Sequence, residues 1–132
     1  MTVVVDASLV VAALVDGGDV GRWAEGVLLS DHLAAPHLMP VEAANILRRS
    51  ALAGEVTSDS ASLAHLDLAA LRIDLFPYGV VASRAWALRG NLTIYDAGYV
   101  ALAELLEADL ATLDERLARA PGPECGFLLP QQ

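Results

Sequence analysis

Residues 2–8 read Thr-Val-Val-Val-Asp-Ala-Ser, and this segment indicates the class of fold. Its β-branched residues favour a strand, and three valines in a row lack the polar alternation of a strand with one face in water. We therefore predict a strand that is buried on both faces, as in the middle of a parallel sheet. An acid, Asp6, stands directly after it.

Helical and strand-like patterns alternate along the rest of the chain. Hydrophobic spacing and capping residues predict helices over 9–15, 22–29, 41–53, 58–71, 80–88, 93–107 and 115–120, and strands over 33–38, 73–76, 110–113 and 127–129. This alternation is typical of an α/β/α sandwich with a central, mostly parallel sheet. No repeat or linker interrupts it, and 132 residues suit one domain over 1–132.

The composition predicts a soluble, cytoplasmic protein. Hydrophobic residues make up 55% of the chain, which argues against intrinsic disorder. No apolar stretch approaches the roughly 20 residues of a membrane span. The strand-like run follows Met1 directly, without the basic segment of a signal peptide. A single cysteine, Cys125, cannot form an internal disulfide, which fits a reducing compartment.

The charge balance excludes several classes of function. Eight basic and 17 acidic residues give a net charge of −9, and all eight basic residues are arginines. Without lysine the chain cannot be a P-loop NTPase or a Schiff-base enzyme, and receiver-type or haloacid-dehalogenase-like phosphoryl-transfer proteins also need one. The acidity argues against a broad cationic surface for nucleic acid, but it leaves room for a metal site made of carboxylates.

Two other residue types carry little functional signal. His32, His37 and His65 are scattered without the spacing of metal ligands. Trp23 and Trp86 lie in apolar helical segments, where we expect core or dimer-contact residues.

Four carboxylates stand at the ends of predicted elements: Asp6, Glu42, Asp96 and Asp114. Each has an ordinary structural explanation, because acids cap helices and stabilise their first turns. Asp6 and Asp114 follow strands, however, and Glu42 and Asp96 open helices. In a doubly wound sheet these ends face the same edge, where gathered acids would raise one another's pKa unless cations neutralised them. Both interpretations stay open at this point.

A cluster of this kind has a definite chemistry. Carboxylate oxygens suit Mg²⁺ or Mn²⁺, and the scattered histidines give no zinc site. Such an ion can polarise a phosphoryl oxygen, activate water and stabilise the leaving oxygen, which is metal-dependent phosphodiester hydrolysis. Asn45 and Arg49 follow Glu42 at i+3 and i+7, so one helix face would carry all three polar groups.

The four acids lie in the segments 3–8 (VVVDAS), 40–47 (PVEAANIL), 93–103 (TIYDAGYVALA) and 110–117 (LATLDERL). In this order the segments resemble the motifs of the PIN-domain ribonucleases, and most closely those of the VapC toxins of bacterial toxin–antitoxin pairs. The third segment, with Tyr-Asp-Ala followed by Ala-Leu-Ala, is the most specific, and the resemblance spans almost the whole chain.

The resemblance implies a site and a mode of action. Asp6, Glu42, Asp96 and Asp114 would hold Mg²⁺ or Mn²⁺, with Ser8, Asn45 and Thr112 orienting the acids. The activity would be endonucleolytic hydrolysis of RNA, which inhibits translation and growth. A homodimer and a cognate VapB-type antitoxin, whose C-terminal segment covers the acidic groove, would be the partners.

Two points qualify this picture. Some relatives carry a further acid after the fourth, and here Glu115 directly follows Asp114, so a fifth ligand is left open. Because the chain is acidic, RNA binding would rely on local arginines such as Arg49 and Arg116. The alternative is a non-catalytic PIN-like module that binds RNA or protein.

Overall fold

The computed structural model describes residues 1–29 and 32–131. Within them five strands form one sheet in the order β3-β2-β1-β4-β5, and every neighbouring pair is parallel. The strands are β1 (Thr2–Val5), β2 (His32–Pro36), β3 (Asp74–Phe76), β4 (Asp109–Ala111) and β5 (Phe127–Leu128). The α/β class is confirmed, and the sheet is wholly parallel where a mostly parallel one was predicted.

The helices fall close to the predicted segments: α1 (Ala7–Val15), α2 (Asp19–Leu28), α3 (Met39–Leu52), α4 (Ser58–Ala70), α5 (Ala82–Ala87), α6 (Ile94–Leu105) and α7 (Glu115–Arg119). Two differences stand out. Helix α2 begins three residues before the predicted helix 22–29, and at the predicted helix 80–88 a 3₁₀ turn (Tyr78–Val80) precedes a helix of only six residues. The predicted strand 33–38 ends at Pro36, because α3 already starts at Met39 with Pro40 in its first turn. No helix of the described residues is long and apolar enough to cross a membrane.

The core forms around β1 and α6. Val3, Val4 and Val5 point alternately to opposite faces of the sheet, and all three are at most 2% exposed, so both faces are covered. Seven consecutive residues of α6, from 97 to 103, are buried, and this helix packs against β1, β2 and β4. Mostly small residues make up this run, which allows the helix to lie close to the strands.

The sheet order determines where the predicted acids meet. β1 and β4 are parallel neighbours with Val5 opposite Ala111, so the residues that follow both strands leave the sheet side by side. The Asp6 amide donates to the carbonyl of Ala111 at 3.3 Å, which extends the pairing by one residue. The carboxyl end of the sheet therefore brings Asp6 next to the segment 112–114.

Candidate active site

Asp6 is the most buried of the predicted acids, with 8% of its surface exposed. Its Oδ1 accepts hydrogen bonds from the Ser8 hydroxyl at 2.7 Å and from the Leu9 amide at 3.0 Å, and its Oδ2 accepts one from the Thr112 hydroxyl. Burial raises the pKa of Asp6, these three donors oppose the rise, and the charge of Asp114 adds to it. The carboxylate is thus held in one orientation on the loop after β1.

Thr112 couples the first acid to the fourth. Its side chain is fully buried, and its hydroxyl oxygen accepts from the Asp114 amide at 3.0 Å while donating to Asp6. The Asp114 Oδ1 then accepts from the amides of Arg116 and Leu117 and caps α7. One buried hydroxyl therefore links the ends of β1 and β4.

Glu42 is held by a residue that the sequence interpretation did not single out. The Tyr99 hydroxyl, on a side chain only 3% exposed, donates to the Glu42 Oε1 at 3.0 Å. Burial and the negative charges of Glu42 and Asp6 raise the pKa of Tyr99, so it stays a protonated donor at neutral pH. The available signal was a tyrosine inside an apolar helix, because a buried phenol needs a hydrogen-bond partner.

Asp96 completes the group in the first turn of α6. Its amide donates to the Thr93 hydroxyl at 3.2 Å, which makes Thr93 the cap of this helix. The pKa of Asp96 is raised by burial and by the charges of Asp114 and Asp6, and it is lowered by Arg116. The pKa of Glu42 is likewise raised, first by burial and then by Asp96 and Asp6. All four carboxylates therefore share one electrostatic environment.

The structural explanation of the acids also holds. Asp6 caps α1, Asp114 caps α7 and Glu42 lies in the first turn of α3, each as the capping preferences predict. Capping alone does not explain why all of these ends meet at one edge of the sheet. The two interpretations are compatible, because a carboxylate can cap a helix with one oxygen and leave the other for a ligand.

The remaining predicted residues stand further out. Asn45 is exposed on α3 one turn beyond Glu42, and the exposed Arg49 lies another turn on, about 10 Å along the helix from Glu42. Arg116 is exposed but close enough to Asp96 to lower its pKa. Glu115, the open fifth acid, forms an ion pair with Arg119 at 3.7 Å.

The donor set suits a hard divalent cation, because it consists of carboxylate oxygens with unneutralised charge. Among residues 1–29 and 32–131, however, no three His, Cys, Asp or Glu side chains stand close enough to enclose an ion as they are placed. The carboxylates would have to come closer together than the structure places them to share one ion.

Comparison with known proteins assigns the fold to one family. The family profile of the PIN domain matches residues 3–123. This chain belongs to the PIN domain family. The predicted membership of the PIN-domain family is thereby confirmed.

Relatives of this PIN domain are found among named ribonucleases. The chain is 41% identical over 127 residues to Ribonuclease VapC1 of Mycobacterium tuberculosis, with 96% of both chains covered. Among solved structures, PAE2754 from Pyrobaculum aerophilum is 29% identical with a TM-score of 0.67, covering 90% of this chain and 84% of the other. VapBC2 from Rickettsia felis, solved with a promoter DNA fragment, shares the fold at 13% identity and a TM-score of 0.62, covering 98% of both chains.

Proposed function

We propose that this PIN domain is a Mg²⁺- or Mn²⁺-dependent endoribonuclease toxin that hydrolyses RNA phosphodiester bonds and thereby inhibits translation and growth. The observation that carries the proposal is the meeting of Asp6, Glu42, Asp96 and Asp114 at one edge of the sheet, where burial and mutual repulsion raise the pKa values of the first three. Mutual repulsion within such a group destabilises the cation-free fold, and a bound cation would relieve it.

Each residue has a distinct part in this site. A bound divalent ion would neutralise the scissile phosphate and lower the pKa of the attacking water. Asp6, Glu42, Asp96 and Asp114 would hold it. Ser8 and Thr112 fix Asp6 by donating hydrogen bonds, and Tyr99 does the same for Glu42, so these carboxylates cannot rotate freely.

RNA as the substrate is supported by the relatives, because the protein from M. tuberculosis with 41% identity is a ribonuclease by name. Arg116 lies close enough to Asp96 to lower its pKa, and we propose that Arg116 contacts an RNA phosphate. Arg49 is a second candidate, further along α3. We expect selective cleavage, because a net charge of −9 gives no general attraction for a polyanion.

The proposed partners are a VapB-type antitoxin and a second copy of the chain, and we place the protein in the cytoplasm. An acidic groove suits a segment that carries arginine, since guanidinium and carboxylate groups pair in a bidentate manner. A solved VapB–VapC assembly with the same fold, from R. felis, supports an antitoxin partner.

The test is RNA cleavage by protein freed from any antitoxin. We expect discrete fragments from cellular RNA in Mn²⁺ or Mg²⁺, and loss of nearly all cleavage when a chelator removes the cation, because the four acids would then repel the phosphate. Restoring the cation should restore cleavage. Fragments that form equally well in chelator would contradict metal dependence, and RNA binding without cleavage would favour the non-catalytic alternative.

A further inference from the structure

A pocket of about 540 Å³ opens beside Glu42 and has no part in the carboxylate chemistry described so far. The end of β2, the start of α3, the 3₁₀ turn, α5 and the start of α6 contribute to its walls. Apart from Glu42 and His37, the side chains that matter here are uncharged: Leu38, Tyr78, Val81, Trp86, Ile94 and Tyr95.

The aromatic side chains of this pocket are exposed. Tyr78, Trp86 and Tyr95 are 48%, 58% and 62% exposed, although aromatic residues of a small domain usually pack into its core. Of the two expectations for Trp86, a core or a dimer-contact residue, the structure excludes only the core, because α5 buries Ala85 and leaves Trp86 exposed. Three aromatic rings are presented to solvent around one cavity.

Trp86 is also held in place from outside the pocket. The Arg89 guanidinium lies over its ring, 4.6 Å from the centroid, and the Arg89 Nη1 donates to the Trp86 carbonyl at 2.8 Å. Arg89 does not line the pocket, whereas Trp86 does. The cation–π contact therefore orients the indole without placing the guanidinium in the pocket wall.

We propose that this pocket binds a nucleobase of the RNA, adjacent to the phosphate on which the four acids act; the proposal rests on the proposed function. Glu42 belongs both to the pocket wall and to the carboxylate group, where it is coupled to Asp6 and Asp96. Whatever fills the pocket therefore lies directly beside the acids. A base joined through its sugar to the scissile phosphate fulfils this condition.

Charge and size favour the same occupant. A chain of net charge −9 cannot obtain RNA affinity from a cationic surface, whereas base stacking on aromatic rings does not depend on charge. The cavity volume lies in the range of small-molecule sites. Because a base must leave its helix to enter, the pocket would select single-stranded or looped RNA.

The test uses Trp86 as its own reporter. In a Trp23→Phe variant Trp86 is the one remaining tryptophan, and Trp23 lies away from the pocket. Short oligo(A) and oligo(U) are titrated with Ca²⁺ present to neutralise the acids, and gels record any cleavage in parallel. Inorganic polyphosphate is the matched polyanion without bases. We expect both oligonucleotides to quench the emission to saturation and polyphosphate to leave it unchanged.

Two substitutions of Tyr95 test whether the quenching arises from base stacking. In the same background, Tyr95→Ala should weaken oligonucleotide affinity by roughly tenfold or more, the contribution of one stacked base, while Tyr95→Phe retains it. Affinity for Mn²⁺ should be the same in the Trp23→Phe protein and in both Tyr95 variants made from it, which would show that the acids are intact.

Three outcomes would overturn the proposal, and a fourth would overturn only the proposed function. If the oligonucleotides do not quench the emission of a protein that cleaves RNA normally, the pocket does not bind a base, and the proposed function is unaffected. Quenching by polyphosphate as strong as by RNA would exclude stacking. An emission shift that follows protein concentration, with a matching dimer mass in sedimentation, would assign this face to a second copy of the chain. If quenching occurs as expected but no divalent cation supports cleavage, the proposed function fails and base binding survives.

Discussion

Asp6→Asn is expected to lower the rate of RNA cleavage by about a hundredfold or more at neutral pH while the chain stays folded. The change removes one negative charge from the centre of the carboxylate group, where electrostatic groups typically contribute factors of about 10² to 10³. The fold tolerates it because the asparagine oxygen can still accept from Ser8 and the Leu9 amide, and its NH₂ can donate to the Thr112 hydroxyl.

The matched control is Asp67→Asn, which changes the net charge equally on an exposed position of α4. Cleavage rates of wild type and both variants are compared at saturating Mn²⁺, with circular dichroism and thermal unfolding to verify the fold. Growth inhibition by the expressed chain should disappear with Asp6→Asn and persist with Asp67→Asn. A folded Asp6→Asn protein that cleaves at the wild-type rate would falsify the assignment.

The second large effect is expected in the stability of metal-free protein as a function of pH. The pKa values of Asp6, Glu42 and Asp96 are raised in the folded state from ordinary values of 3.8 for Asp and 4.5 for Glu. The folded chain therefore holds these protons more tightly than the unfolded chain. Protonation of these three carboxyl groups therefore stabilises the fold. The stabilisation is fully present below the ordinary pKa values and is lost as the pH rises through the raised pKa values. It amounts to about 1.4 kcal/mol for each pKa unit by which the folded and unfolded states differ.

Thermal unfolding in chelator between neutral and mildly acidic pH measures this dependence. Acidification from neutral pH should raise the melting temperature of wild type more than that of Asp6→Asn, which carries no such proton. The comparison is needed because Glu104, paired with Arg84 at 2.6 Å, has a lowered pKa and acts in the opposite direction. Equal pH dependence in wild type and Asp6→Asn would contradict the raised pKa of Asp6.

The site could be predicted largely because its residues stand at element ends. The buried run 2–5 and the acid that follows it determine where β1 stops, and parallel strands expose their carboxyl ends together. Capping preferences placed the starts of α6 and α7 correctly at Thr93 and Asp114. Local sequence is sufficient for such features, because a cap bonds to amides two or three residues away.

Features that depend on tertiary packing were not predictable. Tyr99 and Glu42 are 57 positions apart, and only the tertiary fold brings the phenol on α6 to the carboxylate on α3. The exposure of Trp86 follows from the shortness of α5, where six residues are too few to show a periodicity. The pocket beside Glu42 is assembled from three separate stretches of the chain, 36–42, 78–86 and 94–98, so no single stretch carries its signature.

Calorimetric titration of antitoxin-free protein with Mn²⁺, for wild type beside Asp96→Asn, tests directly whether the four acids form one divalent-cation site. Asp96 is half-buried and coupled to Asp6 and Asp114, so its charge is required for the shared site. We expect saturable binding to wild type that is abolished or strongly weakened in the folded variant. No binding to either protein would mean that the acids serve only as caps and strand ends, and the nuclease proposal would fall with them.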